Sequence, residues 1–230
     1  MSAVRDLSSR LAAAAPSLRP NRVPAAFPSA VPASPAAFLR EYRRHLDRAL
    51  ASVPEAALSS AVELIGAALA RDATIFTCGN GGSAAIANHF VCDFGKGLAT
   101  DTPHRARIRS LSASAELLTA IANDIDYADI FAHQLAGAAR PGDLLIAISS
   151  SGNSENIVRA LQWGHDNGLA TIALTGFSGG RGARLADVNL HVAAQNYGIV
   201  EDAHQALMHI LAQYLRATAM PADLIAQRRF

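Results

Sequence analysis

The stretch at residues 74–83 constrains this chain most. It reads Thr74, Ile75, Phe76, Thr77, Cys78, Gly79, Asn80, Gly81, Gly82, Ser83. Ile75, Phe76 and Thr77 are β-branched or aromatic and suit a buried strand. Gly79, Gly81 and Gly82 permit positive φ and a close approach of another molecule to the backbone. Ser83 is a good N-cap for the alanine-rich run that follows. A strand, a glycine turn and a helix N-terminus aim free N–H groups and the positive end of a helix dipole at one place. The plain reading is a tight turn between strand and helix; the functional reading is an anion site.

The same pattern recurs. Strands are predicted at 74–78, 107–111, 143–149, 169–175 and 187–192, with helices at 83–96, 114–122, 127–138, 155–167 and 199–219 and a short one before residue 187. Strands alternating with helices imply a parallel sheet covered on both faces. Ligands of such sheets sit beyond the carboxyl ends of the strands, where the strand order switches. Two helices precede the first strand. Ser34 and Pro35 read as an N-cap with proline at the first helical position, and Phe38, Tyr42, Leu46, Ala49 and Leu50 follow at helical spacing. A second helix over about 54–70 carries Leu58, Val62, Leu64, Ile65 and Leu69. The apolar stripes of this hairpin are wide for one sheet face and point to subunit contact. Before it, a short helix is predicted at 6–15, and prolines recur from Pro16 to Pro35, as in a linker or an arm lying on a partner. The expected organisation is a Pro/Ala-rich extension at 1–35, one α/β domain at 36–220 that includes the hairpin, and a tail at 221–230.

Composition narrows the partners. Half of the 230 residues are hydrophobic and 17% are charged, which favours a packed chain over a disordered one. A net charge of +1 gives no global field for nucleic acid, and the arginines at 40–44 read as a solvated helix face. Cys78 and Cys92 form no paired framework, which suits a reducing, cytoplasmic setting. No apolar run reaches transmembrane length, so no membrane partner is expected.

Three strand ends carry the polar loops. Gly79 to Ser83 is the first, Ser149 to Ser154 the second, and 175–180 the third. The second places Ser149, Ser150, Ser151 and Ser154 around Gly152 directly after an apolar strand. Their O–H and N–H donors could surround a phosphate without any net positive charge. Neither a Walker A sequence nor Gly-x-Gly-x-x-Gly is present, so nucleotide readings lose ground. His89 and Asp93 lie four apart and share a helix face. On the last helix Glu201, Gln205 and His209 share a broad face, because each step of four advances only about 40°. His89, Asp93, Glu201 and His209 would make a nitrogen-and-oxygen metal site, suited to zinc, if the two helices meet. Otherwise they are two separate solvated faces. His204 reads as a packing residue.

Cys78 to Ser83, residues 121–124 (Ile-Ala-Asn-Asp), residues 148–154 and residues 174–176 (Leu-Thr-Gly) together resemble sugar isomerase (SIS) domains, and within them the bacterial phosphoheptose isomerases. The likeness runs over roughly 38–218, in order and with matching spacing. It implies a three-layer, flavodoxin-like parallel sheet with an N-terminal helical hairpin, assembled as a homotetramer with active sites between subunits. It implies an aldose–ketose isomerase acting on sedoheptulose 7-phosphate. Asn80, Gly81, Gly82 and Ser83 would touch the sugar phosphate, Ser149, Ser150, Ser151 and Ser154 would hold its phosphate, and Asn123 and Asp124 would contact sugar hydroxyls. His89 and His209 match zinc ligands, and His209 also matches the catalytic histidine, with Asp93 as the acid on the opposite side. Departures fall at the catalytic end. Asp93 stands where the family carries glutamate, Glu201 where it carries glutamine, Gly97 where it carries arginine and Gly198 where it carries aspartate. A long carboxylate at Glu201 would compensate for the short one at Asp93. A non-catalytic SIS protein that binds a sugar phosphate or a protein partner is the alternative that these departures favour.

Overall fold

Five strands make one sheet: β1 (Thr74–Gly79), β2 (Arg107–Ser110), β3 (Leu144–Ser149), β4 (Ala170–Thr175) and β5 (Val188–His191). The computed structural model describes residues 27–230. All neighbouring strands are parallel, in the order β2-β1-β3-β4-β5. This is the flavodoxin-like order, with its switch point between β1 and β3. Every residue of β3 is buried, as expected of a central strand covered on both faces.

The helices are α1 (Pro35–Ala51), α2 (Glu55–Ala70), α3 (Gly82–Cys92), α4 (Ala115–Asp124), α5 (Ala132–Ala138), α6 (Glu155–Asp166), α7 (Gly182–Leu185), α8 (Tyr197–Ala219) and α9 (Ala222–Ile225). Strand alternation sorts them into two layers. Phe76 and Cys78 of β1 pack with Leu145 and Ala147 of β3 against Ile157, Ala160 and Leu161 of α6. Thr77 points the other way, and its hydroxyl donates to the Ala87 carbonyl of α3 at 2.8 Å. The helices that follow β1 and β3 therefore leave toward opposite faces, and their N-termini flank one crevice. Among the described residues no single helix is long and apolar enough to cross a membrane.

Local chemistry explains where the elements start and stop. Ser34 caps α1 by accepting from the Ala37 N–H at 3.1 Å, with Pro35 at the first position. Asn196 accepts from the Ile199 N–H at 3.0 Å, so α8 opens at Tyr197, two residues before the predicted start. The predicted helix at 127–138 is instead a 3₁₀ turn, Tyr127–Asp129, followed by α5. The Asp126 carboxylate accepts from the Ala128 N–H at 3.0 Å and holds the tighter turn. Beyond α3 the chain widens into a π-turn, Asp93–Gly97, in which the Leu98 N–H reaches the Asp93 carbonyl at 2.7 Å. Residues 221–230 are held to the body. Arg228 pairs with Asp101 at 2.8 Å, and the Phe230 ring lies 4.8 Å from the Arg216 guanidinium. The predicted helix at 6–15 and the prolines from Pro16 to Pro24 lie outside the described residues.

Candidate active site

The crevice beyond β1 and β3 holds a cavity of about 130 Å³, lined by Asn80, Ser83, Ser149, Ser150, Ser151, Ser154, Tyr197 and Glu201. Its floor is built by backbone. Gly152 has φ +63°, donates to the Ser149 carbonyl at 3.1 Å and accepts from the Gly182 N–H at 2.8 Å. Gly176 donates to the Ser150 carbonyl at 3.0 Å, so the third loop supports the serine loop from beneath rather than lining the cavity. Ser149 and Ser151 each accept a backbone N–H within their own loop at 3.2 Å. Among the described residues the buried Ser150 hydroxyl has no partner, and Ser154 makes no capping hydrogen bond at the start of α6. A buried unpartnered hydroxyl and a helix N-terminus without a side-chain cap thus converge, the arrangement an anion would satisfy.

Asn80 is fixed by a reciprocal amide pair with Asn156, at 2.8 and 3.0 Å, and by the Tyr127 hydroxyl at 3.2 Å. Gly79 is fixed by Ser112, which donates to its carbonyl at 2.8 Å and accepts its N–H at 3.1 Å. Asn156, Tyr127, Tyr197 and Ser112 were not singled out from the sequence. Asn156, polar in the first turn of a buried helix, was the one with a readable signal. Asn123 and Asp124 lie exposed at the end of α4, hydrogen-bonded to each other at 2.8 Å, and do not line this cavity.

α3 and α8 do meet. His209 Nδ1 lies 2.8 Å from Asp93 Oδ2, and His89 Nε2 lies 3.2 Å from Asp93 Oδ1. On the far side of both rings the Gln205 amide nitrogen sits 2.9 Å from His89 Nδ1 and 3.0 Å from His209 Nε2. The ring planes stand at 88° with centroids 4.9 Å apart. The four side chains close a loop in which each imidazole donates to Asp93 and accepts from Gln205 when both are neutral. Asp93 and His209 are therefore in direct contact, not opposed across a substrate.

Ligand atoms of His89, Asp93 and His209 lie within 4.8 Å of one another, as a shared cation requires. Two imidazoles and a carboxylate form a donor set that fits zinc. Glu201 is not in this group. It stands two turns earlier on α8, roughly 12 Å along the axis from His209, with its carboxylate carbon packed where a Cβ on Gly82 would come within 2.6 Å. Glu201 therefore belongs to the serine cavity, and Gln205 holds the position by the histidines. Burial, and then the neighbouring Asp202, push the Glu201 carboxyl above its ordinary range. Asp202 is held by the Tyr42 hydroxyl at 2.7 Å. Gly198 lies beneath the same tyrosine, where a Cβ would approach the hydroxyl to 3.2 Å. His204 is fully buried, and burial drops it from 6.5 to about 4 against a smaller opposing pull from the Thr175 backbone.

Residues 37–176 match the SIS domain family, and the chain belongs to it. Within that class it is similar to phosphoheptose isomerases. It is 41% identical to the one from Mycobacterium tuberculosis over 143 residues, 62% of this chain and 72% of the relative. With the one from Azoarcus sp. it shares 39% over 159 residues, 68% of this chain and 80% of the relative. The solved phosphoheptose isomerase from Neisseria gonorrhoeae superposes with a TM-score of 0.72 at 32% identity, covering 79% of this chain and 96% of the other. The family match ends before α8, so the placement of Glu201, Gln205 and His209 rests on the geometry above.

Proposed function

We propose that the protein interconverts sedoheptulose 7-phosphate and D-glycero-D-manno-heptose 7-phosphate through an enediol. The observation that carries this reading is the Asp93–His209 contact beside a serine cradle, in a chain of the phosphoheptose isomerase type. The phosphate sits against Ser149, Ser150, Ser151, Ser154 and the N-terminus of α6, while Asn80, Gly81, Gly82, Ser83 and Glu201 bound the sugar. Asn123 and Asp124 reach the sugar only if the chain closes around it or a neighbouring subunit presents them. Moving a proton between adjacent carbons needs a base at the carbon next to the carbonyl. His209 Nε2 is that base once Gln205 turns away. Asp93 holds Nδ1–H and stabilises the imidazolium that forms, as a buried carboxylate does behind other catalytic histidines. His89, Asp93 and His209 would hold zinc, which when bound supplies polarisation of the carbonyl oxygen; a metal on His209 Nδ1 would leave the proton on Nε2, so the ligand and base roles of His209 exclude each other. A homotetramer in the cytoplasm completes the reading. The apolar groove between α2 and α8, where Ile210 and Tyr214 stand exposed, supports a subunit contact. The domain bounds proposed are 1–35, 36–220 and 221–230.

One observation favours a second reading, a non-catalytic sugar-phosphate sensor: Gln205 engages His209 Nε2, the nitrogen that a base needs. One assay separates the two. Protein is incubated with sedoheptulose 7-phosphate in deuterated water, with and without zinc. An isomerase yields the aldose and deuterium at the carbon next to the carbonyl. Asp93→Asn lowers the rate on the order of 10²–10⁴-fold. Binding without product or exchange in either condition leaves the sensor.

A further inference from the structure

Opposite the serine cradle, at the N-terminal end of the sheet, lies a cavity of about 510 Å³ bordered by Arg71, Arg107, Arg109 and Arg140. Three separate segments deliver them. Arg71 follows α2, Arg107 and Arg109 lie two apart on the edge strand β2 and so share one of its faces, and Arg140 precedes β3. Their charges are poorly opposed. Arg71 donates to the Gly142 carbonyl at 3.3 Å, and Arg107 reaches the exposed Asp72 at 3.4 Å. Asp143, the other carboxylate at the cavity, accepts the backbone N–H groups of Thr74 at 2.7 Å and Arg140 at 2.8 Å. The guanidinium groups of Arg109 and Arg140 have no hydrogen-bond or ion-pair partner among the described residues.

A single charge is enough to keep an edge strand from pairing with another chain. Four arginines around one concavity exceed that need, and the fold sets only two carboxylates, Asp72 and Asp143, against them. We propose that this cavity binds a compound carrying two linked phosphates. Each unpartnered guanidinium presents a planar fork that matches a phosphate bidentately, and Arg71 and Arg107 add charge at the rim. The volume falls within the range of small-molecule sites and exceeds what a diphosphate fills, so an attached organic group has room. Six-residue strands separate this end from the serine loops by roughly 20 Å, so occupants of the two ends do not compete.

Calorimetric titration of the full chain with inorganic pyrophosphate, and separately with ADP, tests this. Saturating sedoheptulose 7-phosphate is present so that the serine cradle is filled. The expected result is one site per chain, weakened at least about tenfold by Arg109→Ala/Arg140→Ala, with kcat and KM for the sugar phosphate unchanged. Arg109→Lys/Arg140→Lys, which keeps charge but loses the fork, falls between. Equal affinity for the two probes identifies the diphosphate itself as the ligand; tighter ADP binding identifies a nucleotide. The proposal is overturned by absence of binding to either probe, by equal binding in wild type and the two double variants, or by displacement with the sugar phosphate.

Discussion

Gly152 shows how tightly the cradle is determined by backbone. Its φ of +63° is left-handed, and a Cβ there would collide with the Gly179 carbonyl oxygen while lying 2.7 Å from its carbon and 3.3 Å from the Gly180 nitrogen. None of these atoms can rotate aside. The left-handed conformation costs a side chain about 1–2 kcal/mol, and forcing packed backbone apart adds about 1–3 kcal/mol. Gly152→Ala therefore loses about 2–5 kcal/mol. Gly142 supplies the internal control. It has φ +91°, yet nothing lies within 4 Å of a Cβ built on it, so Gly142→Ala carries only the conformational cost of about 1–2 kcal/mol. For a domain of this size each kcal/mol moves the melting temperature by about 2–4 °C. Scanning calorimetry should thus show a fall of about 2–8 °C for Gly142→Ala and a larger one, about 4–20 °C, for Gly152→Ala. Gly152→Ala should also raise KM for the sugar phosphate, because Ser149 to Ser154 move with the displaced turn, whereas Gly142→Ala should not. Equal melting shifts in the two variants, or an unchanged KM in Gly152→Ala, would refute the backbone-contact account of this loop.

Three further outcomes are expected. Ser150→Ala removes a buried hydroxyl that has no partner among the described residues, so urea unfolding should show unchanged or slightly higher stability. KM for the sugar phosphate should rise about 10–100-fold, the worth of one hydrogen bond to a charged group; a destabilised variant with normal KM would contradict this. Gln205 holds the outer nitrogens of both rings, His89 Nδ1 and His209 Nε2. With a metal on the nitrogens that face Asp93, these outer nitrogens carry the protons and the turned amide accepts them. Gln205→Leu should therefore weaken zinc affinity, measured against a competing chelator, by about tenfold; unchanged affinity would show that Gln205 does not support the ligands. His204 gives the acid limb. Its folded value is depressed from 6.5 to about 4, so it contributes stability above pH 6.5 that is lost as pH falls through about 4. The loss amounts to about 3 kcal/mol. Comparing urea midpoints at pH 7 and near pH 4.5, His204→Leu should lose less than wild type, and parallel losses would show that His204 does not carry the limb.

Much of the architecture was legible in one dimension because its signals are local. Apolar runs such as residues 144–148 suit only a covered strand, and glycine or serine clusters after them mark the turns into helices. The break at Asp126 was missed because an aspartate that bonds its own backbone competes with the helix periodicity around it. Periodicity also shows that Glu201, Gln205 and His209 share a face of α8, and that His89 and Asp93 share one of α3. Which of them touch was not legible. Asp93 and His209 are 116 residues apart, and so are His89 and Gln205. The height and rotation of α8 against α3 are set by how both pack on the sheet, not by either helix's sequence. One helical turn of that offset gives Gln205 to the histidines and Glu201 to the serine cavity. The four arginines at the far end of the sheet likewise come from segments that look unrelated along the chain. The sequence determined the sheet, its helices and the polar loops, through burial and turn chemistry that each segment carries by itself. Only the tertiary structure decided which carboxylate lines the serine cavity and which amide closes the histidine pair, because those depend on the packing of elements distant in the chain.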